Sequence, residues 1–133
     1  MTARYQDDRD PWQGFEVIST YTDADALEDG QIIDLSGGRL VSDRVDERRG
    51  ARVTLGLFSV FHAMAERKGE TGKDADETAR IACALMFRAM LRKPADPDGW
   101  RTSEARQDGE SIGQVWLIPN EVGGLTLMRP EDY

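Results

Sequence analysis

A chain of 133 residues is one domain's worth of polypeptide and can bury a core without metal or disulfide help. Its single cysteine, Cys83, excludes an intramolecular disulfide and fits a reducing, cytoplasmic compartment, while no run of about 18 apolar residues offers a membrane span. The balance of 25 Asp and Glu against 17 Lys and Arg, a formal charge of −8, disfavours non-specific binding to nucleic acid or anionic lipid and favours basic protein surfaces.

Residues 1–14 are polar, carry Asp7, Asp8 and Asp10, contain no apolar core of a secretory signal, and read as a flexible acidic tail. The remainder, 15–133, reads as a single domain. Phe15 to Tyr21 is rich in β-formers, with Phe15, Val17 and Tyr21 able to share one face, and is expected to be a strand. Thr22 to Gly30 predicts a short helix, capped by Thr22, acidic in its first turn at Asp23 and Asp25, and stopped by Gly30. Gln31 to Leu35 reads as a short strand, and Ser36-Gly37-Gly38 turns the chain.

Arg39 to Gly50 alternates in charge sign, as a solvated connection does. From Val53 to Lys68, Leu57, Phe58, Phe61, Met64 and Ala65 recur at helical spacing; Thr54 is a candidate cap and Gly69 the stop. Asp74 to Arg92 predicts the longest helix, acidic at its start, basic at its end and stopped by Pro94. Its apolar residues cover most of the circumference, which predicts burial on more than one side.

Trp100 to Gln107 is a polar outer strand, and Asp108-Gly109 a turn dipeptide. Ile112 to Ile118 and Leu125 to Arg129 then form a hairpin across Pro119–Gly124. Strands at both ends with helices between them predict an α+β fold. One small antiparallel or mixed sheet, built from the C-terminal hairpin and the N-terminal strand, packs against two longer helices.

Three segments carry a resemblance. They are Tyr21-Thr-Asp-Ala-Asp-Ala-Leu-Glu-Asp-Gly-Gln-Ile-Ile-Asp-Leu35, Gly50-Ala-Arg-Val-Thr54 and the closing Gly123-Gly-Leu-Thr-Leu-Met-Arg-Pro-Glu-Asp-Tyr133. Together they resemble a family of small proteins of unknown function encoded on bacterial plasmids, phages and other mobile elements. The chain departs from that family in lacking a proline near Val53 and in being Ala/Met-rich, not tryptophan-rich, over Ile81–Leu91. The resemblance implies a mobile-element setting and supplies no catalytic or binding residues.

The residues offer little for catalysis. His62 has Glu66 one turn away and no Cys, second His or nucleophile at helical spacing, so an ordinary helix imidazole is expected. Cys83 lies about two turns inside a helix, where a thiol packs and does not react. The glycine pairs 37–38 and 123–124 lack phosphate-loop spacing and read as turns. Asp23, Asp25, Glu28 and Asp29, with Asp34 nearby, crowd carboxylates without calcium-loop spacing, so neither metal nor cofactor is expected.

The expectation is therefore a non-enzymatic module. Asp23, Asp25, Glu28, Asp29 and Asp34 are its candidate contacts to a basic, nucleic-acid-binding or defence protein of a host, whose surface it would occupy. Two alternatives stay open: an orphan enzyme or ligand-binding domain with a pocket between sheet and central helix, and a nucleic-acid binder acting through Arg39, Arg44, Arg48, Arg49 and Arg52.

Overall fold

The computed structural model describes residues 30–133. The predicted strand at 15–21 and helix at 22–30 lie, apart from Gly30, outside the described residues. Those described form an α+β unit with a mixed five-stranded sheet. In chain order the elements are β1 (Ile32–Asp34), α1 (Val45–Arg48), β2 (Arg52–Thr54), α2 (Leu55–Arg67), α3 (Gly72–Leu91), β3 (Arg101–Gln107), β4 (Glu110–Pro119), β5 (Leu125–Met128) and a closing 3-10 turn at Pro130–Asp132. The sheet order is β1-β2-β5-β4-β3. Every neighbouring pair is antiparallel except β2 and β5, which run parallel in the register Arg52↔Thr126, Val53↔Leu127.

Local chemistry accounts for most boundaries. Asp108 (φ 54°) and Gly109 (φ 80°) supply the two positive φ values that a two-residue hairpin turn between β3 and β4 requires. α2 starts where Thr54 Oγ1 accepts the Leu57 N–H at 3.3 Å. It ends in a Schellman motif at Gly69 (φ 96°): Gly69 N–H donates to Glu66 O and Glu70 N–H to Ala65 O.

β2 adds to the sequence reading, which named Thr54 as the helix cap, as observed, but assigned no strand before it. Arg52-Val53-Thr54 is a fully buried strand in the interior of the sheet. A three-residue strand running straight into a helix shows no period of its own, and the apolar spacing of α2 masks it. The short α1 likewise lies inside the expected charged connection.

Both long helices pack on one face of the sheet. Leu57, Phe61 and Met64 of α2 and Ala79, Cys83, Phe87 and Met90 of α3 meet Val53, Val115, Leu117 and Leu127 in one core. α3 is less enclosed than its composition predicts: Ile81 and Leu85 are 41% and 50% exposed. They sit one turn apart, off the buried stripe of Ala75, Ala79, Ala82, Cys83 and Phe87.

The chain entering β2 crosses the β4–β5 connection at close range. A Cβ on Gly124 would stand 2.5 Å from the Arg49 carbonyl oxygen. Asn120 fastens the crossing: its amide donates to Gly50 O at 2.8 Å and to Thr126 Oγ1 at 3.2 Å, and its oxygen accepts the Gly124 N–H at 2.9 Å and the Val122 N–H at 3.2 Å. Asn120→Ala removes all four bonds and strands the partly buried Gly50 carbonyl. We expect a loss of about 2 kcal/mol in urea-melt stability, with an unchanged m-value.

Candidate partner-binding surface

Of the five carboxylates expected to meet a partner, Asp23, Asp25, Glu28 and Asp29 lie outside the described residues. Asp34 ends β1, where it is bound within the chain. Its Oδ1 accepts the Ser36 N–H at 2.7 Å and stands 3.1 Å from Arg52 Nη1. Partial burial alone would raise the Asp34 pKa. The Ser36 hydrogen bonds and the charges of Arg52 and Arg80 outweigh it and hold the carboxyl below the usual range. Asp34 is therefore ionised at neutral pH and half-exposed, with its charge opposed by Arg52.

Other carboxylates of the described residues are similarly engaged. Arg67 pairs with Glu110 at 3.0 Å, Lys68 with Asp108, Arg88 with Asp43 at 3.2 Å and Arg44 with Asp46 at 3.3 Å. Such exposed pairs add little stability, but they even out the surface potential. The sequence shows where the excess charge resides. Residues 1–29 hold eight acidic and two basic side chains, whereas residues 30–133 hold 17 and 15. The folded body is nearly neutral, and most of the −8 belongs to the first 29 residues.

The arginine segment does not form a uniform basic face. Arg52 is buried on the sheet and directed at Asp34 and Ser36, and Arg44 is paired with Asp46. Ser42, Asp43, Arg44, Glu47, Arg88, Leu91 and Arg92 line a shallow hollow of about 240 Å³ in which both signs of charge alternate.

A second hollow, of about 270 Å³, opens between the 35–40 loop and α3. Leu35, Leu40, Ile81 and Ala84 give it apolar walls, and Asp34 and Arg80 stand at its edge. The sequence leaves a pocket between sheet and central helix open but does not name these residues, because Ile81 and Leu85 count toward an all-round apolar helix. Their i, i+4 spacing off the Ala79–Cys83–Phe87 stripe was the available signal.

His62 bridges the two long helices. Its Nδ1 lies 3.6 Å from Glu66 Oε1 on α2 and its Nε2 3.1 Å from Asp76 Oδ1 on α3. The Glu66 contact agrees with the sequence; the Asp76 contact is added by packing. Cys83 is fully buried, and burial pushes its thiol pKa up to about 12 against a smaller opposing effect of Arg80, so the nucleophilic thiolate is absent at neutral pH. Among the described residues, no group of three or more His, Cys, Asp or Glu is placed to hold a metal ion, and no helix is long and apolar enough to cross a membrane.

The C-terminus closes over the start of α2. Asp132 Oδ2 accepts the Thr54 hydroxyl at 2.8 Å and the Arg129 Nε–H and backbone N–H at 3.1 Å each, and its Oδ1 accepts Arg129 Nη2–H at 2.8 Å. Gly56 leaves room for this latch, since a Cβ there would stand 2.9 Å from the Asp132 carboxyl carbon. Beyond it, Tyr133, Trp100 and Trp116 pack ring on ring, with centroids 5.3 to 5.9 Å apart. Trp100 is thus half-buried. Asp96 Oδ1 holds its backbone by accepting the Trp100 N–H at 2.9 Å.

No family model, curated protein or solved structure matches the chain.

Proposed function

We propose that this protein is a non-enzymatic cytoplasmic interaction module whose acidic N-terminal region occupies a basic surface on a partner protein. One observation carries the reading: eight acidic side chains against two basic ones in residues 1–29, ahead of a body whose charges nearly cancel. A concentrated negative segment attracts a basic surface over a Debye length of about 8–10 Å, which an evenly mixed surface does not. Asp23, Asp25, Glu28 and Asp29 supply half of its eight carboxylates with no basic side chain among them. Asp34, opposed by Arg52, contributes less. The resemblance to mobile-element proteins suggests the class of partner: a host nucleic-acid-binding or defence protein whose phosphate-binding surface is blocked.

The apolar hollow beside Ile81 supports a second reading, a small-ligand or peptide site between the edge of the sheet and the longest helix. Its walls offer few polar groups to orient a substrate, so binding without chemistry suits it better.

The test is retention of host-lysate proteins on immobilised full-length chain, compared with a variant carrying Asp23→Asn, Asp25→Asn, Glu28→Gln and Asp29→Asn. We expect a basic protein to be retained by the native chain, released as salt rises, and weakened at least tenfold by the four changes. Equal retention by both chains, or no protein above background, would contradict the proposal.

A further inference from the structure

α3 turns one stripe of its surface away from the core. At about 100° per residue, Asp74, Ile81, Leu85 and Arg92 fall within about 40° of one another, and Glu77 and Arg88 flank them on the same side. This stripe lies opposite the buried one of Ala79, Cys83 and Phe87. It is acidic at its start, apolar at its middle and basic at its end. Acid first and base last suits the helix dipole alone. The dipole does not account for Ile81 and Leu85, 41% and 50% exposed, at the centre of the same line. Nor are the end charges balanced within the chain. Asp74, Glu77 and Arg92 enter no ion pair among the described residues, whereas Asp43, Arg67 and Lys68 each do.

We propose that this stripe is the contact surface for a second copy of the chain, with the two α3 helices antiparallel about a two-fold axis. An order of acid, apolar and base along one helix meets its complement only when the other helix runs the opposite way. With the axis level with Cys83, midway between Ile81 and Leu85, each Ile81 lies opposite Leu85 of the second copy. Each Asp74 then lies opposite Arg92 of the second copy. Glu77 comes within one residue's rise of the second copy's Arg88, on the same flank of the helix pair. Arg88 also pairs with Asp43 of its own chain at 3.2 Å, so it contributes less than Arg92. Every contact occurs twice, as an isologous interface requires.

The dimensions agree. Asp74 and Arg92 stand five turns apart, about 27 Å along the axis. Helices that cross at about 20° stay in contact over such a length. Other occupants fit less well. A parallel pair of copies sets Asp74 against Asp74 and Arg92 against Arg92. A basic partner suits only the acidic end of the stripe, and Arg88 and Arg92 repel it at the other. A second copy alone satisfies both ends and covers the apolar middle with an equal apolar surface.

Sedimentation equilibrium of the full-length chain over a range of concentrations tests the pairing. We expect a reversible dimer that weakens as salt rises. Leu85→Ser, at a position half-exposed in the single chain, leaves the circular-dichroism spectrum unchanged and weakens the dimer about tenfold or more. Asp74→Arg and Arg92→Asp each set like charges opposite one another at both ends of the dimer, and each weakens it about tenfold. Mixing these two variants restores opposite charges at both ends and recovers the native association. A native chain that stays monomeric at every concentration would overturn the proposal. So would a dimer indifferent to Leu85→Ser, or charge variants that do not recover on mixing. None of these changes touches residues 1–29, so failure here leaves the proposed function standing.

Discussion

Gly124→Ala is expected to destabilise the protein by about 3 kcal/mol, and to lower its melting temperature by roughly 10–15 °C. The obstacle is backbone, not side chain. The new Cβ would meet the carbonyl oxygens of Gly50 and Arg49 at or inside 2.5 Å, and neither can turn aside as a rotamer can. The strain falls on the least redundant joint of the sheet. β2 and β5 are held in register by only two residue pairs, the single strand pairing that joins β1 and β2 to β5, β4 and β3 within the described sheet. Gly123→Ala is the control. It meets nothing within 4 Å, but its φ of 85° makes an L side chain cost about 1 kcal/mol. Chemical denaturation of both variants checks the order, and a Gly124→Ala loss no larger than that of Gly123→Ala would contradict the crossing.

Asp132→Ala is expected to cost about 2 kcal/mol and to remove part of the acid sensitivity of folding. The carboxylate accepts one hydroxyl and three N–H donors, and its removal leaves Arg129, largely sheltered, without its main partner. Partial burial would raise its pKa; the Arg129 and Thr54 hydrogen bonds overcome that and lower it. The sign follows from linkage. A carboxyl whose folded pKa lies below its unfolded value of about 4 stabilises the fold above that pH, and the contribution is lost as pH falls through the folded pKa. Native stability should therefore fall below about pH 4 more steeply than that of Asp132→Ala. Asp34, shifted the same way, leaves some acid sensitivity in the variant. Parallel pH profiles for the two proteins would contradict the latch.

The parts of the fold legible in the sequence are those with strong local chemistry. The Asp108-Gly109 turn, the Thr54 cap, the Gly69 stop and the β4–β5 hairpin each rest on a residue whose backbone or side-chain preference decides the matter alone. What the sequence hid was set by distant contacts. β2 is a strand because β1 and β5 lie on either side of it, not because three residues prefer extension. Ile81 and Leu85 are exposed because the sheet meets α3 along one stripe, and composition does not specify which stripe. Trp100 is half-buried because Trp116 and Tyr133 pack beside it from later in the chain. Of the candidate contacts, Asp34 alone falls among the described residues, and its pairing with Arg52 depends on β1–β2 register that no local signal supplies.

In the proposed function the chain meets its partner through the acidic residues of 1–29 while residues 30–133, nearly neutral, serve as a platform. Hydrogen exchange of the full-length protein, alone and with a retained basic partner, tests it most directly. We expect added protection over residues 22–29, with 35–49 and 80–92 unchanged. Protection confined to the Leu40–Ile81 hollow or to the Arg39–Arg49 segment, with 22–29 exchanging as in the free chain, would contradict it.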